Sequence, residues 1–283
     1  MDELDLTVTA AHVRMGTRAL SPDQWLVRDD AAEDELALRR RLFDEQGPSV
    51  FACTRLAEAA ALETADLVHT WRQAQGHSRD DDLADHPPLA RAGLSVQEDL
   101  CLMVQHHDAW HLEGALLCFP SLWSLPEKLG RPAAEIHAPV AHYAEELSSR
   151  VDSFFNRMAA GKLALRRNLS PWPACLLWLP THDIDPSLWD PPPDDPDQPR
   201  LWLRSERQTL SRLPTSGAIL FTIRVQMAPL AVLEASPARA EDLAAWLRGP
   251  GGESRRQQLG PLLEPDLRWL DRVSGSPSDG AAD

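Results

Sequence analysis

The chain has 283 residues, 43% hydrophobic and 25% charged, the composition of a soluble globular protein able to bury a core. Its 28 Lys and Arg against 43 Asp and Glu leave a net charge of −15, which repels phosphate backbones and anionic lipid, so neither nucleic acid nor a membrane is an expected partner. No apolar run approaches the ~18 residues of a membrane span, and "MDELDLTVTA" lacks the basic and apolar regions of a signal peptide, so a cytoplasmic location is expected.

In the N-terminal third, "SPDQW" sets Ser21 as a helix cap with Pro22 at the first helical position. A second helix is expected over Glu33 to Phe43 and a third over Ser49 to Gln73. The acidic stretch His77 to Pro88 reads as a loop. Asp99 to Gln105 and Glu113 to Trp123 then read as a β-hairpin with a longish loop, His106 to Leu112.

A helix with one continuous apolar face follows, carrying Val140, Tyr143, Leu147, Val151, Phe154, Phe155 and Met158. Pro139 suits its first position, which leaves His137 just outside. The third strand is either "LALRRNL" or "ACLLWL". "RLWLRSERQTLSRL" and "GAILFTIRVQM" supply two more, joined by a turn containing Gly217. Pro180 to Arg200 is too rich in proline for regular structure. Arg239 to Arg272 reads as helical, and the tail from Ser274 as disordered.

The order predicts an α+β fold, a PAS-like antiparallel sheet of about five strands with inserted and flanking helices. Residues 1–95 form an N-terminal helical region, 96–230 the core, 231–273 a C-terminal helical segment and 274–283 the tail. In the PAS arrangement, helices after the first hairpin can cradle a planar cofactor against the sheet.

Among chemistry-bearing residues, His137 reads either as a structural or capping histidine or as a metal ligand. Glu206 and Gln208 share one strand face and Arg207 takes the other. Arg224 ends an apolar run, where a charge is commonly a sheet-edge residue in water. "HHDAWH" places His106, His107 and His111 near Asp108, a possible zinc set without the H-E-x-x-H helix motif. Cys53, Cys101, Cys118 and Cys175 form no C-x-x-C pair, so zinc-ribbon and iron–sulfur readings are poor. Dinucleotide, Walker and nucleophile-elbow patterns are missing, so no reductase chemistry is expected on this chain.

Several stretches carry a resemblance. They are "MGTRALSPDQWL" (Met15 to Leu26), "VQEDLCLM" (Val96 to Met103), "LCFPSLWSLPEKLG" (Leu117 to Gly130), "IHAPV" (Ile136 to Val140), "VDSFFNRM" (Val151 to Met158) and "ERQTLSRLPTSGAILFTIR" (Glu206 to Arg224). Together they resemble the haem-dependent oxidative N-demethylase family. The resemblance implies a PAS domain with extra helices that binds haem b and oxidises a methyl group of dimethylamine with O2, giving methylamine and formaldehyde. It implies electrons from NADPH through a flavin/iron–sulfur reductase partner carrying FMN and a [2Fe–2S] cluster, and a further partner using tetrahydrofolate. It casts His137 as the iron ligand and Arg224 as a donor to bound O2. Glu206, Arg207 and Gln208 would meet haem edges or the substrate ammonium, and Lys128 and Arg131 would neutralise the propionates.

The chain departs from the family pattern at Leu169, where Trp is expected between Asn and Ser. It departs again at Val225 and Gln226, where Thr-Tyr is expected, so the amine is left open. Two other readings stand beside this one, a non-catalytic haem PAS sensor or binding module and a zinc-dependent hydrolase.

Overall fold

The computed structural model describes residues 17–77, 81–136, 146–181, 186–195 and 197–275. Five long strands carry the architecture: β3 (Asp99–His106), β4 (Ala109–Leu116), β5 (Leu163–Trp172), β6 (Trp202–Arg212) and β7 (Ile219–Pro229). Two three-residue strands, β1 (Arg18–Leu20) and β2 (Phe51–Cys53), close the edges of a seven-stranded sheet in the order β1-β5-β6-β7-β3-β4-β2. Every neighbouring pair is antiparallel. The expectation of about five strands missed the two edge strands, because three residues are too few to show an alternating pattern. The third long strand is the one containing "LALRRNL".

The β3–β4 hairpin is tighter than expected. His107 and Asp108 form a two-residue turn with φ of 48° and 62°, the left-handed pair of a type I′ turn that matches the strand twist. β4 accordingly starts at Ala109 and ends at Leu116, short of the expected Trp123. The Asp99 carboxylate explains the early end. Its oxygens accept the backbone N–H groups of Cys118 (2.7 Å) and Phe119 (2.9 Å), taking those donors out of any ladder.

Nine α-helices lie among the described residues. α1 (Ala32–Gln46) and α2 (Glu58–Ala74) match two expected helices, but α2 starts later, because Phe51–Cys53 pairs with β4 instead. Ser21 and Pro22 open a single 3-10 turn. α3 (Pro88–Gly93), not expected, packs so close to β4 that a Cβ at Gly93 would meet the Leu116 side chain at 2.4 Å. α4 (Leu125–Lys128), α5 (Ala133–Ile136) and α6 (Glu146–Arg157) follow the hairpin. α7 (Pro237–Arg248), α8 (Glu253–Leu259) and α9 (Leu263–Ser274) form the C-terminal group.

The sheet has two unlike faces. Leu100 and Leu102 of β3 and Leu220 of β7 point to a face covered by α2 and α3 through Ala60, Ala61, Val68, Leu89 and Ala92. Further along it, Leu169 and Leu203 pack on α7, α8 and α9. The opposite face carries Cys101, Met103, Leu210 and Ile219 under Leu125 of α4, Ala133 of α5, and Val151 and Phe155 of α6. Cys101 and Cys118 are buried as small apolar groups, and burial pushes both thiols up, that of Cys118 to about 12.

Candidate functional site

Register decides which predicted residues meet. Glu206 pairs with Asn168 and Val225, Gln208 with Arg166 and Ile223, and Arg207 with Arg167 and Arg224. Paired residues in an antiparallel sheet share a face. Glu206 and Gln208 therefore lie on the α4–α6 face with Ile223 and Val225. Arg207 and Arg224 lie together on the other face, as the alternation at Glu206–Gln208 requires.

Glu206 is held from several sides. Its Oε1 takes a hydrogen bond from Ser121 Oγ, its Oε2 one from Gln208 Nε2 at 2.8 Å, and the Arg204 guanidinium lies 3.9 Å away. Arg204 is 1% exposed. It donates to Ser121 Oγ (2.7 Å) and to the carbonyls of Phe119 (2.8 Å), Pro120 (3.1 Å), Leu176 (2.9 Å) and Leu177 (3.2 Å). One guanidinium thus ties two loops to the strand end beside Glu206, satisfying carbonyls that would otherwise be buried unpaired. Arg255 of α8 stacks 4.2 Å from the Trp172 ring, and burial together with the Arg204 charge lowers its pKa to about 10.

Around this knot the face is apolar and only partly covered. Trp123, Ile136, Phe154 and Phe221 are half-buried against the α4–α6 cluster, and Leu177 and Trp178 against the cluster holding Ile223 and Val225. Arg166 and Asn168 of β5 are exposed on the same face. Residues 137–145 stand between α5 and α6 in the sequence. His137, with His142, Tyr143, Val140 and Pro139, lies outside the described residues.

Lys128 is buried at the end of α4, and Arg131 is exposed with Glu135 3.8 Å away. Both run beside β4, since Leu112 N–H donates to the Arg131 carbonyl and Gly130 N–H to that of Leu112. Three strand spacings, roughly 14 Å, separate β4 from β6, so the structure does not bring these cations to Glu206.

Arg224 and Arg207 serve the opposite face. Arg224 is 1% exposed, with Asp29 at 2.7 Å and Glu35 at 2.9 Å, and it donates to the Val225 carbonyl. Arg207 donates to the carbonyls of Trp25 (2.8 Å) and Gln24. The stretch "VQED" completes this staple. Gln97 bonds Asp29 and Glu35, Glu98 accepts the Val27 N–H at 2.8 Å, and Asp99 pairs with the fully buried Arg39 at 2.8 Å. The position expected over a cofactor thus fastens the N-terminal segment to the sheet. The sequence reading missed Arg204, Ser121 and Arg166, although Arg204 was readable as the residue two before Glu206 on one strand face.

Burial raises the pKa of Glu35 and Glu98, the Arg224 charge opposing it in both. Asp29 is also desolvated, but Arg224 and the hydrogen bonds of Gln97 and Gln226 outweigh burial and lower its pKa. At the hairpin, His106 stacks on His111 at 3.8 Å and bonds Glu113 at 2.8 Å. Among the described residues no group of three or more His, Cys, Asp or Glu is set to hold a metal, and no helix is long and apolar enough to cross a membrane.

A family model described as "Haem-dependent oxidative N-demethylase, alpha subunit-like" matches residues 72–256, from the end of α2 through all five long strands into α8.

Proposed function

The chain belongs to the haem-dependent oxidative N-demethylase, alpha subunit-like family, and on that premise we propose that it is the haem-binding subunit of an enzyme that demethylates a small secondary amine with O2. The family match carries the reading, and its subunit description implies a multi-subunit enzyme.

The residues present fit a flat, largely apolar group. Trp123, Ile136, Phe154 and Phe221 offer half-buried apolar surface on the α4–α6 face, at both ends of the segment carrying His137. Five long strands in the spatial order β4-β3-β7-β6-β5, with helices inserted after the hairpin, support the PAS-like reading. On this reading haem b would be held on this face by His137, with Lys128 and Arg131 as the cations for its propionates. When bound, the haem would supply O2 activation for hydroxylation of the N-methyl carbon, a reaction that consumes two electrons from a reductase partner and two protons and yields water and a carbinolamine that breaks down to formaldehyde.

The chain's own residues bind and orient. Glu206 is the carboxylate that receives the substrate ammonium, because Ser121, Gln208 and Arg204 hold it in one direction beside the apolar surface. Gln208 fixes the second carboxylate oxygen. Leu177, whose carbonyl Arg204 holds, and its neighbour Trp178 add apolar surface beside Ile223 and Val225 that would exclude water from the substrate. Arg224 contributes by holding β7 to the N-terminal segment.

The test is formaldehyde formation by haem-loaded protein given dimethylamine, O2 and a flavin/iron–sulfur reductase with NADPH. Amine-dependent formaldehyde supports the proposal. Reduction and O2 binding without formaldehyde from any small methylamine would assign the chain to the sensor class instead.

A further inference from the structure

On the Glu206 face one cation stands without a counter-ion. Arg255 of α8 lies across Trp172, its guanidinium carbon 4.2 Å from the ring centre. Trp172 pairs with Trp202, so it shares a face with Arg204 and Glu206 further along β6. The Arg204 guanidinium is 5.7 Å from the same ring and 3.9 Å from Glu206. Arg204 spends its N–H groups on Ser121 and four loop carbonyls. Arg255 does the reverse. Among the described residues it makes no ion pair, and its buried Nη1 has no hydrogen-bond partner. Asp190, the other carboxylate at this end of the strands, is taken up by the Trp202 indole N–H (2.6 Å) and the Cys175 amide (3.2 Å).

Stacking holds this cation while leaving its donors free. It uses the flat face of the guanidinium, and the N–H groups lie in the plane. Burial and the Arg204 charge push the pKa of Arg255 down to about 10, the Glu206 charge opposing them. Arg255 is thus still a cation at neutral pH, and it senses Glu206 across the face. A planar carboxylate takes two such donors at once. Two carboxylates meet that description, one on the substrate and a haem propionate. Lys128 and Arg131, the cations given to the propionates, run beside β4, whereas Arg255 stands on the β5–β6 side with Glu206, which favours the substrate. We propose that Arg255 and Glu206 are the two ends of one substrate subsite, and that the amine demethylated here carries a carboxylate, its methylammonium on Glu206 and its carboxylate on Arg255. The substrate class, an N-methyl amino acid, rests on the demethylase reading. Trp172 and Glu206 stand four residues apart in register, roughly 13 Å along the strand. Their side chains and that of Arg255 close part of this gap, so probes of two lengths are needed.

Calorimetric binding to the haem-loaded full chain, and formaldehyde release with its reductase, test it on two pairs of probes. N-methylglycine is set beside N-methylethylamine, and 4-(methylamino)butanoate beside N-methylbutylamine, so each acid meets an amine of similar length without the carboxylate. In at least one pair the acid should bind, and be turned over in kcat/KM, about tenfold or more better than its partner. Arg255→Gln should remove that preference, mainly through KM, with haem uptake and the Soret band like the parent's. Arg255→Lys keeps the charge but not the fork and should restore only part of it. Arg268→Gln on exposed α9 should keep the whole preference. Formaldehyde from dimethylamine without preference for either acid would overturn the substrate class and leave the demethylase reading standing. No formaldehyde from any amine would overturn that reading and the substrate class with it. A preference untouched in both Arg255 variants would remove Arg255 from the subsite. Weaker haem uptake in Arg255→Gln, with both members of a pair falling equally, would give the guanidinium to a propionate and also overturn the proposal.

Discussion

Glu206 and Arg224 lie one register position apart on neighbouring strands, yet on opposite faces of the sheet, because Glu206 pairs with Val225 and Arg224 with Arg207. That half-turn of the pleat separates two jobs. Glu206 belongs to the partly open apolar face and Arg224 to the closed one, where it holds Asp29 and Glu35.

Replacing Arg224 by Met should therefore damage the fold before any chemistry. The substitution strands two carboxylates without their cation, a loss of about 3–5 kcal/mol for breaking a buried pair. Urea unfolding measures it. Asp29 also sets a pH dependence. Its folded pKa is lowered, so its contribution is present above its unfolded pKa and lost as pH falls through the folded value. This acid-side loss should shrink in the Met variant; equal stability of the two proteins at neutral pH would dismiss the staple.

Glu206→Gln keeps the volume and the hydrogen-bond acceptor but removes the negative charge. Loss of one charge-assisted contact to an ammonium should lower kcat/KM for the amine roughly 10- to 100-fold. The haem spectrum should stay the same. Steady-state formaldehyde release, read beside the absorption spectrum, separates the two effects, and full activity in the variant would remove Glu206 from substrate binding.

Glu98→Gln should change how stability follows pH. Burial, opposed by the Arg224 charge and the Val27 N–H, raises the folded pKa of Glu98 above its unfolded value. Its contribution is thus fully present below the unfolded pKa and lost as pH rises through the folded one. The variant should gain on the parent as pH rises from the unfolded pKa of a glutamate, about 4.3, through the raised folded one. Parallel curves from paired urea titrations over that range would show that Glu98 does not titrate there.

Asp99→Asn should destabilise by about 3–5 kcal/mol, because Arg39 and Asp99 are both fully buried and each is the other's counter-charge. It also disturbs the Cys118 and Phe119 amides, and with them the Phe119–Ser121 loop that Arg204 and Glu206 use. Denaturant unfolding gives the loss. A change under about 1 kcal/mol would mean that the amides, not the ion pair, set this residue's worth.

The strands β6 and β7 were legible because their alternation is long and the Gly217 turn is clear. The faces of Glu206 and Gln208 against Arg207 followed from the two-residue period alone. Arg224 was harder, since its face relative to Glu206 depends on a register set by the Leu213–Ala218 connection, where Leu213 N–H donates to the Ala218 carbonyl. The partners of Arg224 come from 195 residues away at Asp29, which no local pattern announces. The hairpin loop was misread because His107 and Asp108 adopt positive φ without a glycine to signal it. Arg204 looked like one more polar residue of a strand; its importance lies in carbonyls from two distant loops. His137, the residue on which the sequence reading turned, lies outside the described residues.

The absorption spectrum of the purified chain loaded with haem, taken beside that of His137→Ala, tests the central claim most directly. The account predicts a Soret band that moves on reduction and again on adding CO, and its loss or gross weakening in the Ala variant. A parent protein that takes up no haem, or a variant whose spectrum matches the parent's, would contradict it.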